Sequence, residues 1–160
     1  MQQATLCILI KEDKILLGMK QRKLGKGNYN MPGGGEEPED VDSMACAIRE
    51  LGEETGGVTA RREDCELYAK IHFYFPHTTE NNQTVWVYRF HAWEGEPQDT
   101  KEMIWGWHPL TRIPYEGMWD ADQYWLPKVL AGEKFEATVR FKDDEKTVNE
   151  PEFTALEHEQ

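Results

Sequence analysis

The chain contains the run Arg49-Glu50-Leu51-Gly52-Glu53-Glu54-Thr55-Gly56 at the end of a segment with helical periodicity. Four side chains of this segment recur at i, i+4, i+7 and i+11 and share one stripe of a helix, namely Met44, Ile48, Leu51 and Thr55. Asp42 or Ser43 is suited to cap the N-terminus, and Gly56-Gly57 is typical of a left-handed C-terminal cap. The sequence therefore predicts a helix over residues 42–55.

Three glutamates of this helix form an acidic face. Glu50, Glu53 and Glu54 lie at i, i+3 and i+4, so they share an arc of about 100°, roughly opposite the apolar stripe. Carboxylates this close repel one another unless water or cations bridge them, and hard oxygen ligands suit Mg²⁺ or Mn²⁺. The pattern favours metal-assisted substitution at phosphorus, although an isolated acidic triplet is more often only a solvated helix face.

Two loops precede the helix. The stretch over residues 21–30 is rich in Gly, Lys, Arg and Asn, and the run Met31-Pro32-Gly33-Gly34-Gly35 is followed by an acidic segment over residues 36–40. Neither Pro-Gly-rich stretch is compatible with a helix interior. We interpret this region as a long functional loop that leads into the acidic helix.

With the glycine run upstream, residues 49–56 match the R-E-U-x-E-E-x-G core of the Nudix box, and the chain resembles the Nudix hydrolase family. The match departs from the box in two places. The earlier glutamate of the box falls on Val41, which leaves Asp40 to substitute for it, and the terminal apolar position falls on Gly57. The spacing from the glycine pair to Arg49 is also one residue longer than usual.

The resemblance implies an α/β protein: a Nudix α/β/α sandwich around a mixed, mostly antiparallel sheet, as a single domain over residues 1–148. It implies that Arg49 orients the helix by ion pairing and that Glu50, Glu53 and Glu54 hold Mg²⁺, with Mn²⁺ as an alternative. Glu53 is our first choice for the base that deprotonates the attacking water. The Gly33 carbonyl is implied as an additional metal ligand.

Outside the box, residues 16–20, 25–30 and 113–127 resemble the branch of the family that hydrolyses oxidised purine nucleoside triphosphates. The likeness covers roughly residues 4–148 and implies a set of substrate-binding residues: Thr5, Lys20, Asn30, Gly34, Gly35, Trp119 and Asp122. It also implies that Trp119 stacks on the base and that Glu102 is a further metal ligand. The branch reads the purine edge with two adjacent aspartates, but here Ala121 takes the place of the first.

The expected reaction is Mg²⁺-dependent hydrolysis of oxidised purine nucleoside triphosphates to nucleoside monophosphate and pyrophosphate, which would sanitise the nucleotide pool. In this reaction water attacks the β-phosphorus. Two alternatives stay open at this point. The chain would be a Nudix hydrolase of another diphosphate, such as ADP-ribose, a dinucleoside polyphosphate or an RNA 5′ end, or a non-catalytic nucleotide sensor.

Composition limits the class of partner. The 160 residues include 18 Lys and Arg against 30 Asp and Glu, a formal net charge of −12, so we expect neither a nucleic-acid duplex nor a membrane as partner. The three cysteines are odd in number and widely spaced, which predicts reduced thiols in a cytoplasmic protein. They are Cys7, Cys46 and Cys65. We expect a monomer or a weak homodimer, with a disordered acidic tail over residues 149–160.

Most of the remaining chain has the composition of β-strands. The segments are residues 5–10 and 14–20, expected as a hairpin, 67–75 and 84–93, expected as an antiparallel pair, 103–108, and 135–142 paired with 146–148. Residues 124–131 predict a second helix, in which Pro127 is expected in the first turn because a deeper proline clashes with preceding carbonyls.

Overall fold

The computed structural model describes residues 1–22 and 26–157. Residues 23–25 of the predicted loop and 158–160 of the predicted tail lie outside this part. The described residues form two helices, α1 (Ser43–Thr55) and α2 (Asp122–Leu130). The strands are β1 (Gln2–Lys11), β2 (Lys14–Lys20), β3 (Tyr29–Asn30), β4 (Gly33–Gly35), β5 (Val58–Thr59), β6 (Cys65–Tyr74), β7 (Gln83–Phe90), β8 (Glu94–Gly95), β9 (Met103–Pro109), β10 (Phe135–Arg140) and β11 (Glu152–Ala155).

Nine strands form one mixed sheet in the order β11-β10-β6-β7-β1-β2-β3, with β4 paired to β1 and β9 paired to β2. The pairs β1–β7 and β6–β10 are parallel, and the other pairs in this sheet are antiparallel. The predicted hairpin, the predicted antiparallel pair and the mostly antiparallel sheet are therefore confirmed.

The two helices cover opposite faces of the sheet. Successive strand residues point to opposite faces, and on β1 the side chains of Cys7 and Leu9 pack in the core under α1, with Leu51. The intervening Ile8 packs in the other core, with Trp125 of α2. Fully burying a side chain of this size stabilises the fold by about 1.5–3 kcal/mol. This layering confirms the predicted α/β/α sandwich.

The caps of α1 follow the sequence prediction. The Asp42 carboxylate accepts a hydrogen bond from the Ala45 N–H at 2.9 Å, and Gly56 adopts the left-handed conformation with φ 68°. Gly57 occupies the apolar position of the box because a Cβ there would lie 2.1 Å from the Glu96 carbonyl oxygen. The departure at Gly57 is therefore imposed by the loop that packs against the end of the helix.

Helix α2 differs from the prediction. It begins at Asp122, so Pro127 is its sixth residue and lies beyond the first turn. Proline cannot donate to the Gln123 carbonyl, but both residues are on the exposed side of the helix, where water can bond that oxygen. Burial of Trp125 and Leu126 on the opposite side holds the helix to the sheet.

Neither α1 nor α2 has the length and apolar character needed to cross a membrane, and no other helix in the described residues has them.

The C-terminal tail is more ordered than predicted. Instead of being disordered, Glu152–Ala155 forms β11 and pairs antiparallel with β10. Phe153 anchors this polar segment, since its ring meets the Phe135 ring edge-on at 5.2 Å and the Lys128 ammonium lies 4.6 Å from its centroid. The predicted pairing of residues 146–148 with the preceding strand is present as a bridge between Phe141 and Val148.

Candidate active site

Arg49 joins the acidic helix to the loop before it. Its Nε and Nη2 donate to the two Asp40 carboxylate oxygens at 2.9 and 2.8 Å, a bidentate geometry that favours strong charge-assisted bonding. The Arg49 guanidinium holds the pKa of Asp40 at about 2. Val41, at the position of the box glutamate, is 85% exposed. Asp40, the residue expected to substitute for the box glutamate, is therefore an ion-pair partner of Arg49.

The same guanidinium also reaches the acidic face of α1. Arg49 Nη1 lies 3.1 Å from a Glu50 oxygen and 3.2 Å from a Glu53 oxygen, and Nη2 donates to the Gly35 carbonyl at 3.0 Å. These bonds, with those to Asp40, raise the pKa of Arg49. One cation thus fixes two carboxylates of the helix and ties the helix to β4.

The glycine run allows α1 to approach β1 and β4 closely. A Cβ at Gly34 would lie 2.3–2.5 Å from the Glu50 carboxyl group, and one at Gly33 would lie 2.1 Å from the Thr5 carbonyl oxygen. No side chain fits at Gly33, where the clash is with backbone, and a side chain at Gly34 would push the Glu50 carboxylate aside. The Gly-Gly pair of the motif therefore keeps β4 close to β1 and leaves the Glu50 carboxylate its place over β4.

The acidic face is short of positive charge. Burial raises the pKa of Glu50, an effect that Arg49 opposes and that Glu53 and Asp40 reinforce. Burial also raises the pKa of Glu54, and the neighbouring Glu50 adds to the effect. Because desolvation and mutual repulsion both disfavour the carboxylate form, a bound cation would complement this surface.

The predicted metal ligands are not gathered into a ready site. No three Asp, Glu, His or Cys side chains within residues 1–22 and 26–157 are arranged to hold a metal ion. Glu50 and Glu53 each give one oxygen to Arg49, and Glu102 is about half exposed, 3.9 Å from Arg22. The hard oxygen donors nonetheless match the chemistry of Mg²⁺, so metal ligation stays a prediction.

A cavity of about 530 Å³ lies beside this helix. It brings together nine of the predicted site residues: Thr5, Lys20, Asn30, Gly33, Gly34, Glu54, Glu102, Trp119 and Asp122. Among the described residues, the predicted ones outside its lining are Gly35, Arg49, Glu50 and Glu53. These four are connected to the cavity wall at Gly34 and Glu54 through the Arg49 contacts and the packing of Glu50.

Sequence reasoning missed the largely apolar side of the cavity. Its additional lining residues are Ala4, Leu6, Met31, Phe73, Phe75, Gln83, Val85, Met103 and Phe141. The Phe75 and Phe141 rings stack at 4.3 Å, and Trp119 meets Phe141 edge-on at 6.4 Å. The two-residue spacing of Phe73 and Phe75 indicated a shared sheet face, but nothing in the sequence indicated that this face borders a cavity.

A single carboxyl group of the 119–122 segment faces the cavity. Asp122 is buried and accepts a hydrogen bond from Trp125 Nε1 at 3.0 Å, and burial raises its pKa to about 7. Ala121 is fully buried in the core. The Asp120 oxygens are bonded elsewhere, one to the Val148 N–H and the other to the Gln123 amide, both at 2.8 Å. Asp120 therefore does not replace the aspartate that is absent at Ala121.

Residues 1–129 match the NUDIX domain family. The chain belongs to this family. A relative from Danio rerio, "Oxidized purine nucleoside triphosphate hydrolase", is 33% identical over 138 residues, which cover 86% of this chain and 85% of the relative. The protein of that name from Mus musculus is 32% identical over 142 residues, covering 88% and 87%.

The fold of this NUDIX protein is also similar to a solved structure. The MutT protein from Bacillus halodurans superposes with a TM-score of 0.81 at 22% identity, covering 96% of this chain and 97% of that one. At this identity the likeness concerns the fold alone. The family match, the fold and the box residues around Arg49 identify the chain as a Nudix hydrolase.

Proposed function

We propose that this Nudix hydrolase cleaves oxidised purine nucleoside triphosphates to the nucleoside monophosphate and pyrophosphate, with Mg²⁺ on the acidic face of α1. The cavity carries the proposal, because its lining combines aromatic rings around Trp119 with the acidic Glu54 and the glycine strand. Such a cavity fits a molecule with a flat base at one end and phosphates at the other. The names of the fish and mouse relatives favour the same substrate class.

At the base end, Trp119 is 56% exposed and presents a ring face on which a purine can stack, worth about 1–3 kcal/mol per base. Asn30 can both donate and accept a hydrogen bond at the base edge, and Asp122 offers a carboxyl group. These three side chains line one cavity. We assign them to base recognition.

At the phosphate end, the proposed ligands of Mg²⁺, or of Mn²⁺, are the Gly33 carbonyl and the carboxylates of Glu50, Glu53, Glu54 and Glu102. The cation would neutralise phosphate charge and favour ionisation of water. Arg49 holds Glu50 and Glu53 in place, and Lys20 adds a positive charge to the cavity lining. Glu53 is assigned as the general base because its side chain is 59% exposed, against 14% for Glu50.

The charge of the protein bears on the class of substrate, and we add proposals for its compartment and oligomeric state. With a formal net charge of −12, the surface disfavours duplex nucleic acid, so the proposed substrates are free nucleotides. We place this activity in the cytoplasm, as sanitation of the nucleotide pool, and propose that the protein works as a monomer or a weak homodimer.

The test is pyrophosphate release from normal and oxidised purine and pyrimidine triphosphates, with ADP-ribose as a control substrate, in the presence and absence of Mg²⁺. We expect metal-dependent release that is fastest with an oxidised purine. If only ADP-ribose is hydrolysed, the substrate is another diphosphate of the Nudix family. This alternative remains because Asp122 is the single carboxyl group of its segment at the cavity. Tight nucleotide binding without any turnover would instead identify a sensor.

A further inference from the structure

Gln83 lines the proposed nucleotide cavity and is not among the residues that the sequence predicted for the site. We propose that its carboxamide is a further base-reading group that acts with Asn30 and Asp122 on the edge of a purine. This inference rests on the proposed function, because it concerns the base end of the same cavity. It makes Gln83 a determinant of which bases the cavity accepts.

The register of the sheet places Gln83 on the cavity side. In β7 it lies directly opposite Phe73 of β6, and Val85 follows two residues later on the same face. Phe73 and Val85 also line the cavity. Gln83 is therefore a polar side chain within a mostly apolar floor.

The Gln83 side chain differs in its hydrogen bonding from Gln2, its neighbour on the adjacent strand β1. Gln2 of β1 lies opposite Gln83, and its amide nitrogen donates to the Glu80 carbonyl at 2.8 Å. For the Gln83 side chain, no hydrogen bond to another group of the described chain is present. An amide in an apolar wall must bond to water or to a ligand, since leaving it unpaired is costly.

Besides Asn30, the base end has few available hydrogen-bonding groups. Asp122 shares one oxygen with Trp125 Nε1, Ala121 offers none, and the Asp120 oxygens are engaged outside the cavity. A purine edge presents adjacent donors and acceptors. A carboxamide has one of each and reverses their order by a half-turn, so Gln83 can pair with guanine-type and adenine-type edges.

The experiment compares Gln83→Met and Gln83→Glu with the wild-type protein. Methionine keeps the length but removes the amide, and glutamate keeps an acceptor but removes the donor. Gln2→Met is the matched control, because it removes an amide at the same end of the sheet but outside the cavity. Dissociation constants are measured by calorimetry for monophosphates of guanine, adenine and their oxidised forms, with thermal unfolding to verify folding.

We expect Gln83→Met to weaken every purine monophosphate by about 10-fold, the size of a lost base-edge hydrogen bond, and to flatten the ranking among bases. Gln83→Glu should weaken carbonyl-rich edges more than amino-bearing ones. Inorganic pyrophosphate, which has no base, should bind all variants like wild type, as should every ligand with Gln2→Met.

Wild-type affinities and ranking in both folded Gln83 variants would overturn the inference. Hydrolysis is followed separately with the corresponding triphosphates. If the wild-type protein binds purine monophosphates but releases no pyrophosphate, the proposed reaction fails, while the binding data still decide the role of Gln83.

Discussion

Asp40 shows how one displaced residue can preserve an ion pair. Its carboxylate bonds Arg49 in the bidentate geometry although it precedes the expected position by one residue, and the exposed Val41 takes the vacated place. Its side chain is almost fully buried and that of Arg49 largely so. Removing the Asp40 carboxylate breaks two charge-assisted bonds and leaves Arg49 with Glu50, Glu53 and the Gly35 carbonyl.

Asp40→Asn tests this ion pair. We expect about 2 kcal/mol lower unfolding free energy, the size of a lost hydrogen bond to a charged group, and a fall in kcat about 10-fold or more, since Arg49 loses the anchor from which it holds Glu50 and Glu53. Denaturant unfolding and steady-state kinetics measure the two effects. Val41→Ala is the control and should change neither, and unchanged stability in Asp40→Asn would contradict the assigned contact.

Asp122 gives a stability prediction with a defined sign. Burial raises its pKa to about 7 in the folded protein from an ordinary value of 3.8, so the folded state keeps a proton that the unfolded chain releases near pH 4. Its contribution is therefore most favourable below pH 4 and is lost as the pH rises toward 7. The full difference is about 4 kcal/mol at 1.36 kcal/mol per unit of pKa.

The measurement is the unfolding free energy of wild type and Asp122→Asn between pH 4 and 8. Asparagine cannot titrate, so the wild-type protein should lose stability relative to the variant over this range. Parallel curves would show that Asp122 ionises in the folded protein as it does in the unfolded chain.

At the scale of elements, the prediction from sequence succeeded where the determining contacts are local. The caps at Asp42 and Gly56 and the β1–β2 hairpin depend on neighbouring residues. The parallel pairing of β10 with β6 and the docking of β11 depend on contacts between distant segments. The same reason explains which site residues could be predicted. The box motif is contiguous in sequence, whereas Phe75, Gln83 and Phe141 come together only after folding.

The Glu145 carboxylate joins two segments that are distant in sequence, and we call this contact with His77 and Thr78 the carboxylate clamp. Glu145, in a left-handed conformation with φ 54°, accepts hydrogen bonds from the N–H groups of His77 and Thr78, both at 2.9 Å. Those bonds lower its pKa. The clamp ties the turn after Phe141 to the loop after Phe75, and so supports the stacked ring pair that lines the cavity.

Glu145→Gln should loosen this ring pair. We expect hydrogen exchange at the His77 and Thr78 amides to accelerate about 10-fold and KM for nucleotides to rise, with kcat changed less than about 2-fold, because the clamp is at the base end. Asp143→Asn is the matched control, since Asp143 is 97% exposed and contacts only the His77 ring at 3.6 Å among the described ion pairs. Equal exchange rates in the two variants would argue against the clamp.

At the scale of the whole molecule, the sheet brings residues that are distant in sequence into one cavity. Strands β1 and β4 carry Thr5 and the glycine pair next to α1, and the start of α2 adds Asp122 to the lining of the same cavity. Because both the protein and the proposed nucleotide ligand are negatively charged, binding requires a cation between them. We propose that α1 carries the catalytic carboxylates of a metal-dependent nucleotide hydrolase.

The most direct test is pyrophosphate release from an oxidised purine triphosphate with Mg²⁺, comparing wild type with Glu53→Gln. Glu63→Gln serves as the control, because Glu63 is an exposed acidic residue outside the helix. We predict turnover by wild type and Glu63→Gln and a loss of about 100-fold or more in a folded Glu53→Gln. Wild-type turnover in Glu53→Gln would contradict the assignment of the base on α1.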